Sequence, residues 1–180
     1  MTLALTVRRG SEQSPGVRRE RRRLAAADRH AAHLAELHHI RDLLADARAI
    51  VEAGWTQNSW FVVGDGDGRR HAVDAGNLRL LDRGPVAAAC LVGAIVEAGG
   101  GIANVRSQPV QRALDLTWHT RFGMPGSAVH WCPPPMVRAA HVRDLTSWND
   151  HPRRRVGEVA ALLDEAGRAA SAEIGRVRVG

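Results

Sequence analysis

The 180-residue sequence contains no lysine and no tyrosine, so all 25 of its basic residues are arginine. Without lysine, the chain has no lysine nucleophile or Schiff base, and it lacks the Gly-Lys pair that ends a phosphate-binding loop. A GC-rich gene produces the same bias towards arginine, so the abundance of arginine alone is weak evidence for an acidic partner. The position of the arginines along the chain is more informative.

Cysteines and long apolar runs are also scarce. Two cysteines, Cys90 and Cys132, are too few for a disulfide framework, which favours an intracellular protein. The longest apolar run without a charge, residues 84–96, has 13 residues, fewer than the roughly 18 that cross a bilayer. Residues 1–7 do not have the pattern of a secretory signal. We therefore predict a cytoplasmic protein without a membrane segment.

The positive charge is concentrated near the N-terminus. Residues 1–30 contain eight arginines and three acidic residues, whereas residues 31–180 contain seventeen arginines and sixteen acidic residues. The first residues are rich in Gly, Ser and Pro without periodicity, which is typical of a disordered arm. The predicted organisation is a disordered basic arm at 1–17, a basic helical extension at 18–36, a single globular helical domain at 37–172 and a tail at 173–180.

We predict a mainly α-helical fold, with four or five helices around one core and a short β-hairpin. The composition favours helix, because alanine is abundant and only seven residues are aromatic. The first helix is the clearest, since its apolar residues recur at spacings of three and four up to a stop at Gly54. Its apolar stripe consists of Leu37, Ile40, Leu44, Ala47 and Val51.

Later segments show weaker patterns. Residues 86–98 are apolar almost all round and are predicted as a central buried helix. Further helices are predicted at 107–122 and from about 156 to 171 or a little beyond, and a short helix or turn is predicted at 136–148. The hairpin is predicted at 60–73, with a turn of Gly and Asp residues.

Three segments together resemble a known family. They are Leu44-Ala45-Asp46-Ala47-Arg48 with Glu52, Gly54 and Trp55; Cys90-Leu91-Val92-Gly93-Ala94-Ile95; and Trp148-Asn149-Asp150 with Pro152, Arg154, Glu158, Val159 and Ala166. In this order they resemble a family of small uncharacterised proteins of actinobacteria and their phages, over roughly residues 37–168. The resemblance implies a shared fold and no particular reaction. The motif residues that it marks, predicted to be structural, are Trp55, Cys90, Gly93, Trp148, Asn149, Asp150, Pro152 and Glu158.

Two arginine clusters are the candidate sites for an anion or a nucleic acid. The first consists of Arg18, Arg19, Arg21, Arg22 and Arg23 on the basic extension, and the second consists of Arg153, Arg154 and Arg155. The second departs from the family pattern, in which a small residue precedes and a Thr or Ser caps the last helix. Cations at the start of a helix oppose its dipole, and such a break of a local rule is more frequent at working sites. The alternative is a pair of solvated arginine clusters without a ligand.

The Trp148-Asn149-Asp150 segment allows a structural and a catalytic interpretation. In the structural one, the Trp148 ring is an anchor, while Asn149 and Asp150 satisfy backbone groups in the turn and at the start of the final helix. The catalytic one needs a second acid or base near Asp150. The sequence identifies none, so the structural interpretation is preferred.

The remaining reactive residue types form no recognisable site. Cys90 lies in an apolar run that raises a thiol pKa, so a cysteine enzyme is not expected. His130, Cys132 and His141 are close in sequence, yet no paired frame supplies four zinc ligands. We therefore predict no catalytic residue, no metal and no cofactor.

These observations favour a non-catalytic interaction or regulatory protein that docks on a host macromolecule. A protein partner or a homodimer is expected, with the apolar stripe of the first helix as a possible contact face. The alternative is a nucleic-acid-binding protein that uses the two arginine clusters. An enzyme centred on Asp150 and Arg154 is the third hypothesis.

Overall fold

The computed structural model describes residues 15–74, 76–124, 127, 129, 131 and 133–179. These residues contain five α-helices and one three-stranded antiparallel sheet, which confirms the prediction of a mainly α-helical fold. The helices are α1 (Pro15–Ala53), α2 (Leu91–Ala98), α3 (Gln108–Phe122), α4 (Pro135–Asn149) and α5 (Val156–Val179). The strands are β1 (Phe61–Gly64), β2 (Arg70–Val73) and β3 (Val86–Ala89), and short 3-10 helices span Leu78–Arg83 and Ile102–Asn104. None of the described helices is both long and apolar enough to cross a membrane.

The first helix, α1, is long because residues 17–53 contain neither Gly nor Pro and consist largely of strong helix formers. Its predicted apolar stripe, from Leu37 to Val51, is buried, and α1 packs mainly against α5 and α2. The stripe is thus part of the protein's own core. It does not offer the free dimer or partner face that the sequence suggested.

The prediction of one helix over residues 86–98 is wrong in its first part. Residues 86–89 form β3, which pairs antiparallel with β1, and α2 begins only after Cys90. The N–H of Ala89 donates to the carbonyl of Gly54 (2.9 Å), and a Cβ on Gly54 would lie 2.3 Å from the carbonyl oxygen of Ala87. A short run of small apolar residues fits either structure by periodicity, and pairing with β1 decides for the strand.

The predicted hairpin is confirmed as β1 and β2, and the sheet has the order β2-β1-β3. Asp65 organises the turn, since its Oδ1 accepts hydrogen bonds from the N–H groups of Asp67 (3.0 Å) and Arg69 (2.7 Å). Its Oδ2 lies 2.8 Å from Nε2 of His71. The bond to His71, followed by the backbone bonds, lowers the pKa of Asp65.

The last helix, α5, is longer than predicted. It continues past Ser171 to Val179, so the expected tail at 173–180 is helical over the part that the structure describes. Ala170 and Ile174 explain the extra turns, because both are buried and extend the buried face of α5 towards its C-terminal end. Near the end of α5, Nη2 of Arg178 lies 3.0 Å from Nε2 of His38 on α1. The helix therefore stays beside α1 almost to its end.

Helices α3 and α4 lie where they were predicted and contact each other. α3 also contacts α1, α2 and α5, so it is enclosed on several sides. Five consecutive residues, 113–117, are buried as a result. One of them is Asp115, so a carboxylate is buried in the interior of the protein.

Candidate functional site

The first candidate surface is the N-terminal part of α1, residues 15–36, called the projecting segment below. No residue from 16 to 36 is buried, and burial begins at Leu37. An ion pair between Glu36 on α1 and Arg112 on α3 marks the point where the helix meets the body. Arg, Ala, Leu and Glu dominate the segment, and their high helix propensity is consistent with a helix whose residues 16–36 are all at least partly exposed. The five predicted arginines are all exposed: Arg18, Arg19, Arg21, Arg22 and Arg23.

These arginines lie on one side of the projecting segment. At 100° per residue they cover an arc of about 200°, whereas Val17 and Leu24 lie opposite and are 47% and 56% exposed. Counting on along the helix places the arginine arc on the same side as Ile40 and Leu44, which are buried in the body. The charged face therefore continues the core face of α1 beyond the end of the body.

The second predicted cluster, Arg153 to Arg155, is divided by the structure. The guanidinium of Arg154 stacks on Trp148, with Cζ 3.8 Å from the ring centroid, and its Nε donates to the carbonyl of Trp148 (3.1 Å). Its Nη1 donates to Oε1 of Glu158 (2.8 Å). Arg154 is thus engaged within the fold, a role that the sequence did not indicate, while Arg153 and Arg155 are exposed.

Glu158 supplies one half of a capping box at the start of α5. Its Oε2 accepts a hydrogen bond from the N–H of Arg155 (2.9 Å), as the third residue of a capping box does. This backbone bond, followed by the charge of Arg154, lowers the pKa of Glu158. The carboxylate also offsets part of the unfavourable placement of cations at a helix start.

Asn149, the last residue of α4, is the centre of the family motif. It is 0% exposed. Its Oδ1 accepts hydrogen bonds from Nε1–H of Trp55 (2.9 Å) and from the N–H of Leu91 at the start of α2 (3.1 Å). Its Nδ2 donates to the carbonyl of Thr56 (3.2 Å) and to Oδ1 of Asp150 (2.8 Å). One side chain therefore ties α4 to α2 and to the segment that leads into β1.

Asp150 completes this arrangement of hydrogen bonds. Its Oδ1 also accepts a hydrogen bond from the N–H of Asn58 (2.9 Å), a residue in the left-handed region with φ of 60°. Nε2 of Gln57 donates to the carbonyls of Asn149 and His151 (both 2.9 Å). The structural interpretation of the motif thus gains support, but its partners are in the segment before β1 and not at the start of α5, as the sequence had suggested.

Trp148 and Pro152, the motif residues on either side of Asn149 and Asp150, differ in burial. Trp148 is partly buried, and its Nε1 has no hydrogen-bond partner among the described residues. Its ring instead contacts Arg154, as described above. Pro152 is exposed in the turn between α4 and α5.

Cys90 and Gly93 are packing residues at the start of α2. The Sγ of Cys90 accepts a hydrogen bond from the N–H of Gly93 (3.3 Å), and burial raises the pKa of the Cys90 thiol to about 11. A Cβ on Gly93 would lie 2.0 Å from the carbonyl oxygen of Trp60. These positions hold α2 against the sheet, and a thiol with this pKa is a poor nucleophile.

A buried polar group between α3 and α4 was missed by the sequence analysis. Asp115 is 2% exposed; its Oδ1 lies 3.0 Å from Nδ1 of His141, and its Oδ2 accepts a hydrogen bond from Nε of Arg138 (3.0 Å). Nη2 of Arg138 donates to the carbonyl of Trp131 (3.3 Å). The indole of Trp118 stacks on the imidazole of His141, with the ring centroids 4.0 Å apart.

This group borders a cavity of about 320 Å³. The described residues that line it are Asp115, Trp118, His119, Pro133, Pro134, Val137 and His141. Apart from the three ionisable residues, the lining is apolar. A signal for this site was present in the sequence: His141, Leu145 and Asn149 recur every four residues, which places a histidine on the buried face of α4.

The cysteine and histidine trio considered for zinc is only partly described. His130 and Cys132 lie outside the described residues, while His141 is held by Asp115. Among the residues that the structure describes, no group of three or more His, Cys, Asp or Glu side chains is arranged to hold a metal ion.

Comparison with known proteins gives one match. The model of a family of unknown function, DUF6197, matches residues 35–169, about three quarters of the chain. This agrees with the resemblance drawn from the three sequence segments over roughly residues 37–168. The searches of curated proteins and of solved structures found no match. The projecting segment lies almost wholly outside the family match.

Proposed function

The chain belongs to the family of unknown function DUF6197, and from its own geometry we propose that it is an interaction protein that docks on double-stranded nucleic acid through the projecting segment. The observation that carries the proposal is the exposed arginine arc. Residues 15–24 contain five arginines and one acidic residue, so their net charge is +4. The major groove of B-DNA, about 12 Å wide, admits an α-helix of this kind.

The placement of charge favours nucleic acid over an apolar partner. The body of the protein, residues 37–180, is nearly balanced, with seventeen arginines and fifteen acidic residues. In the first ten residues of the projecting segment, Val17 and Leu24 are the large apolar side chains, and a protein groove that binds a helix usually needs a longer apolar face. Arginine forks, by contrast, suit phosphate oxygens.

The length of the projecting segment also fits the proposal. Its 22 residues rise about 33 Å along the helix axis, close to one turn of duplex. The body stays at one end of this rod, and its near neutrality adds little attraction of its own. Binding is therefore expected to be electrostatic and largely independent of base sequence. A cytoplasmic location and a source in actinobacteria or their phages remain part of the proposal.

The decisive measurement is the salt dependence of binding to a duplex of arbitrary sequence. We compare the unaltered chain with a variant in which Arg18, Arg19, Arg22 and Arg23 are all replaced by Gln. The matched control replaces four exposed arginines of the body by Gln: Arg69, Arg79, Arg106 and Arg143. Both variants lose the same formal charge, so only the position of the charge differs.

We expect the unaltered chain and the body control to bind with similar affinity and a steep salt dependence. Each phosphate contact contributes about 0.9 to the slope of log K against log salt, so the helix variant should lose about 2 to 4 units of slope. A further variant, Arg153→Gln with Arg155→Gln, tests the second cluster and is expected to change little.

Two results would contradict the proposal. If the helix variant and the body control weaken binding equally, the charge of the whole chain and not the projecting segment attracts the duplex. If the unaltered chain binds no duplex at low salt but recovers a specific protein that survives moderate salt, the docking partner is a protein. Sedimentation at the same concentrations separates both results from self-association through Val17 and Leu24.

A further inference from the structure

The cavity between α3 and α4 contains an imidazole with one fixed nitrogen and one unused nitrogen. Nδ1 of His141 lies 3.0 Å from Oδ1 of Asp115, and the other oxygen of Asp115 accepts a hydrogen bond from Arg138. Because a carboxylate only accepts, Nδ1 carries a proton, and in the neutral form of the ring Nε2 presents a lone pair. Nε2 has no hydrogen-bond partner among the described residues, although His141 is only 6% exposed.

The arrangement around His141 holds the ring in one orientation. The indole of Trp118 covers the imidazole at an angle of 17°, and the carboxylate of Asp115 fixes its edge. Trp118 is itself anchored, since its Nε1 donates to Oδ2 of Asp144 (3.0 Å). Arg138 holds Asp115 and reaches the carbonyl of Trp131. A positioned histidine with this second layer of support is typical of binding and catalytic sites.

Besides Trp118 and the ionisable residues, the described lining residues of the cavity are apolar: Pro133, Pro134 and Val137. A volume of about 320 Å³ lies at the lower end of the range of small-molecule pockets, roughly 300 to 1,000 Å³. One aromatic ring or two fused rings match this volume, and flat rings pack well against proline and indole surfaces.

We propose that this cavity binds a flat aromatic molecule whose hydroxyl group donates a hydrogen bond to Nε2 of His141. A donor is required because the Nε2 of the neutral ring is an acceptor. An anionic ligand is disfavoured because the carboxylate of Asp115 borders the same cavity. Asp115 and Arg138 act as positioning residues, since the two oxygens of Asp115 are engaged by His141 and Arg138. This site is independent of the proposed docking on nucleic acid.

The test uses 2-naphthol and its methyl ether, which differ only in the donor. Calorimetric titration of the full-length chain should show that 2-naphthol binds about tenfold or more tightly than 2-methoxynaphthalene, since the ether leaves Nε2 unpaired. In protein labelled with ¹⁵N in its histidines, 2-naphthol should shift the Nε2 resonance of His141, and the ether should not. The His141→Phe variant lacks this resonance and so identifies it, and it should bind the naphthol and its ether equally.

A matched pair of variants places the binding in the cavity. Val137 and Val156 are both 41% exposed, but only Val137 lines the cavity. Val137→Trp should fill the space and abolish binding of both probes, while Val156→Trp should leave binding unchanged. Neither substitution removes a buried contact of the core, so these variants stay informative if His141→Phe fails to fold.

Three outcomes would overturn the proposal. Equal affinities for the naphthol and its ether would refute the hydrogen bond to Nε2. Binding that survives Val137→Trp would place the probes elsewhere on the molecule. An absence of any heat or resonance shift at the solubility limit of 2-naphthol would show that the cavity does not accept this class of ligand.

Discussion

Replacing Asn149 is the most informative perturbation of the fold, because its side chain makes four hydrogen bonds in a fully buried position. Asn149→Ala removes all four. Asn149→Asp keeps the shape and the Oδ1 acceptor, but it replaces the Nδ2 donor by an oxygen. That oxygen would face the carbonyl of Thr56 and Oδ1 of Asp150, which now accept hydrogen bonds at 3.2 and 2.8 Å.

The magnitude follows from the groups left without a partner. A buried donor or acceptor that is left without a hydrogen bond lowers the stability by about 1–3 kcal/mol. This cost applies in full to the buried N–H of Leu91. Trp55 and Thr56 are only partly buried, so water can replace some of what they lose. We expect Asn149→Ala to lower the free energy of unfolding by about 3–5 kcal/mol. A typical domain has about 5–15 kcal/mol in total, so the variant should still fold.

Asn149→Asp should be at least as destabilising near neutral pH, and its effect should depend on pH. Burial and the neighbouring carboxylate of Asp150 disfavour ionisation of the introduced group, so its pKa is higher in the folded than in the unfolded chain. Its protonated form can again donate to Asp150 or Thr56. Because the pKa of the introduced carboxyl is raised in the folded chain, its protonated form contributes fully to stability below the pKa in the unfolded chain, about 3.9. This contribution is lost as the pH rises through the pKa in the folded chain.

Urea unfolding followed by tryptophan fluorescence measures these differences. Each variant is compared with the unaltered chain at about pH 7.5 and about pH 5. Ser147→Asp, an exposed position on the same helix, is the control for adding a carboxylate to α4. The reasoning is refuted if Asn149→Asp costs no more than Ser147→Asp, or if its deficit relative to the unaltered chain does not shrink at the lower pH.

Two further predictions concern helix packing and capping. Gly93→Ala should cost about 2–4 kcal/mol, because its Cβ would lie 2.0 Å from the backbone oxygen of Trp60. Gly167→Ala, with nothing within 4 Å of the added Cβ, should instead stabilise the chain by up to about 1 kcal/mol through helix propensity, and equal melting temperatures for the two variants would contradict this. Glu158→Gln should lower the melting temperature above about pH 4.3, the ordinary pKa of a glutamate carboxyl. The pKa of Glu158 is lowered by the N–H of Arg155, so its contribution is lost as the pH falls below that value, and a difference in melting temperature that stays constant down to about pH 2.5 would rule out this charge effect.

Regular periodicity made most of the helices predictable from the sequence. α1 and α3 each have an apolar stripe with clear stop residues, and their bounds are close to those expected. The error at residues 86–89 arose where the chain offers four small apolar residues without a period. Whether such a run becomes helix or strand depends on its partner β1, which lies more than twenty residues away in sequence.

The sites were predictable in part, for a related reason. Trp148, Asn149 and Asp150 were predicted to be structural from their type and spacing, but the sequence did not show that Asn149 and Asp150 bind groups in a segment over ninety residues earlier. The pairing of Asp115 with His141 was missed, because His141 was considered only together with His130 and Cys132 as a zinc ligand and Asp115 is unremarkable alone. Only the contact of α3 with α4 makes them a pair. A histidine in step with Leu145 was the one local signal.

One face of α1 changes from charged to apolar residues along the helix, and this change links the fold to the proposed function. On the same side of the helix, Arg18 and Arg22 precede residue 36, while Ile40 and Leu44 follow it. Burying arginines without counter-charges would be costly, so the segment cannot extend the core by packing on its own body or on the core face of a second copy. The projecting segment therefore cannot pack through apolar contacts, but its charged face can bind an anionic surface. For the same reason, replacing its arginines should change binding while leaving the stability of the body intact, which no substitution at the Asn149 junction can do.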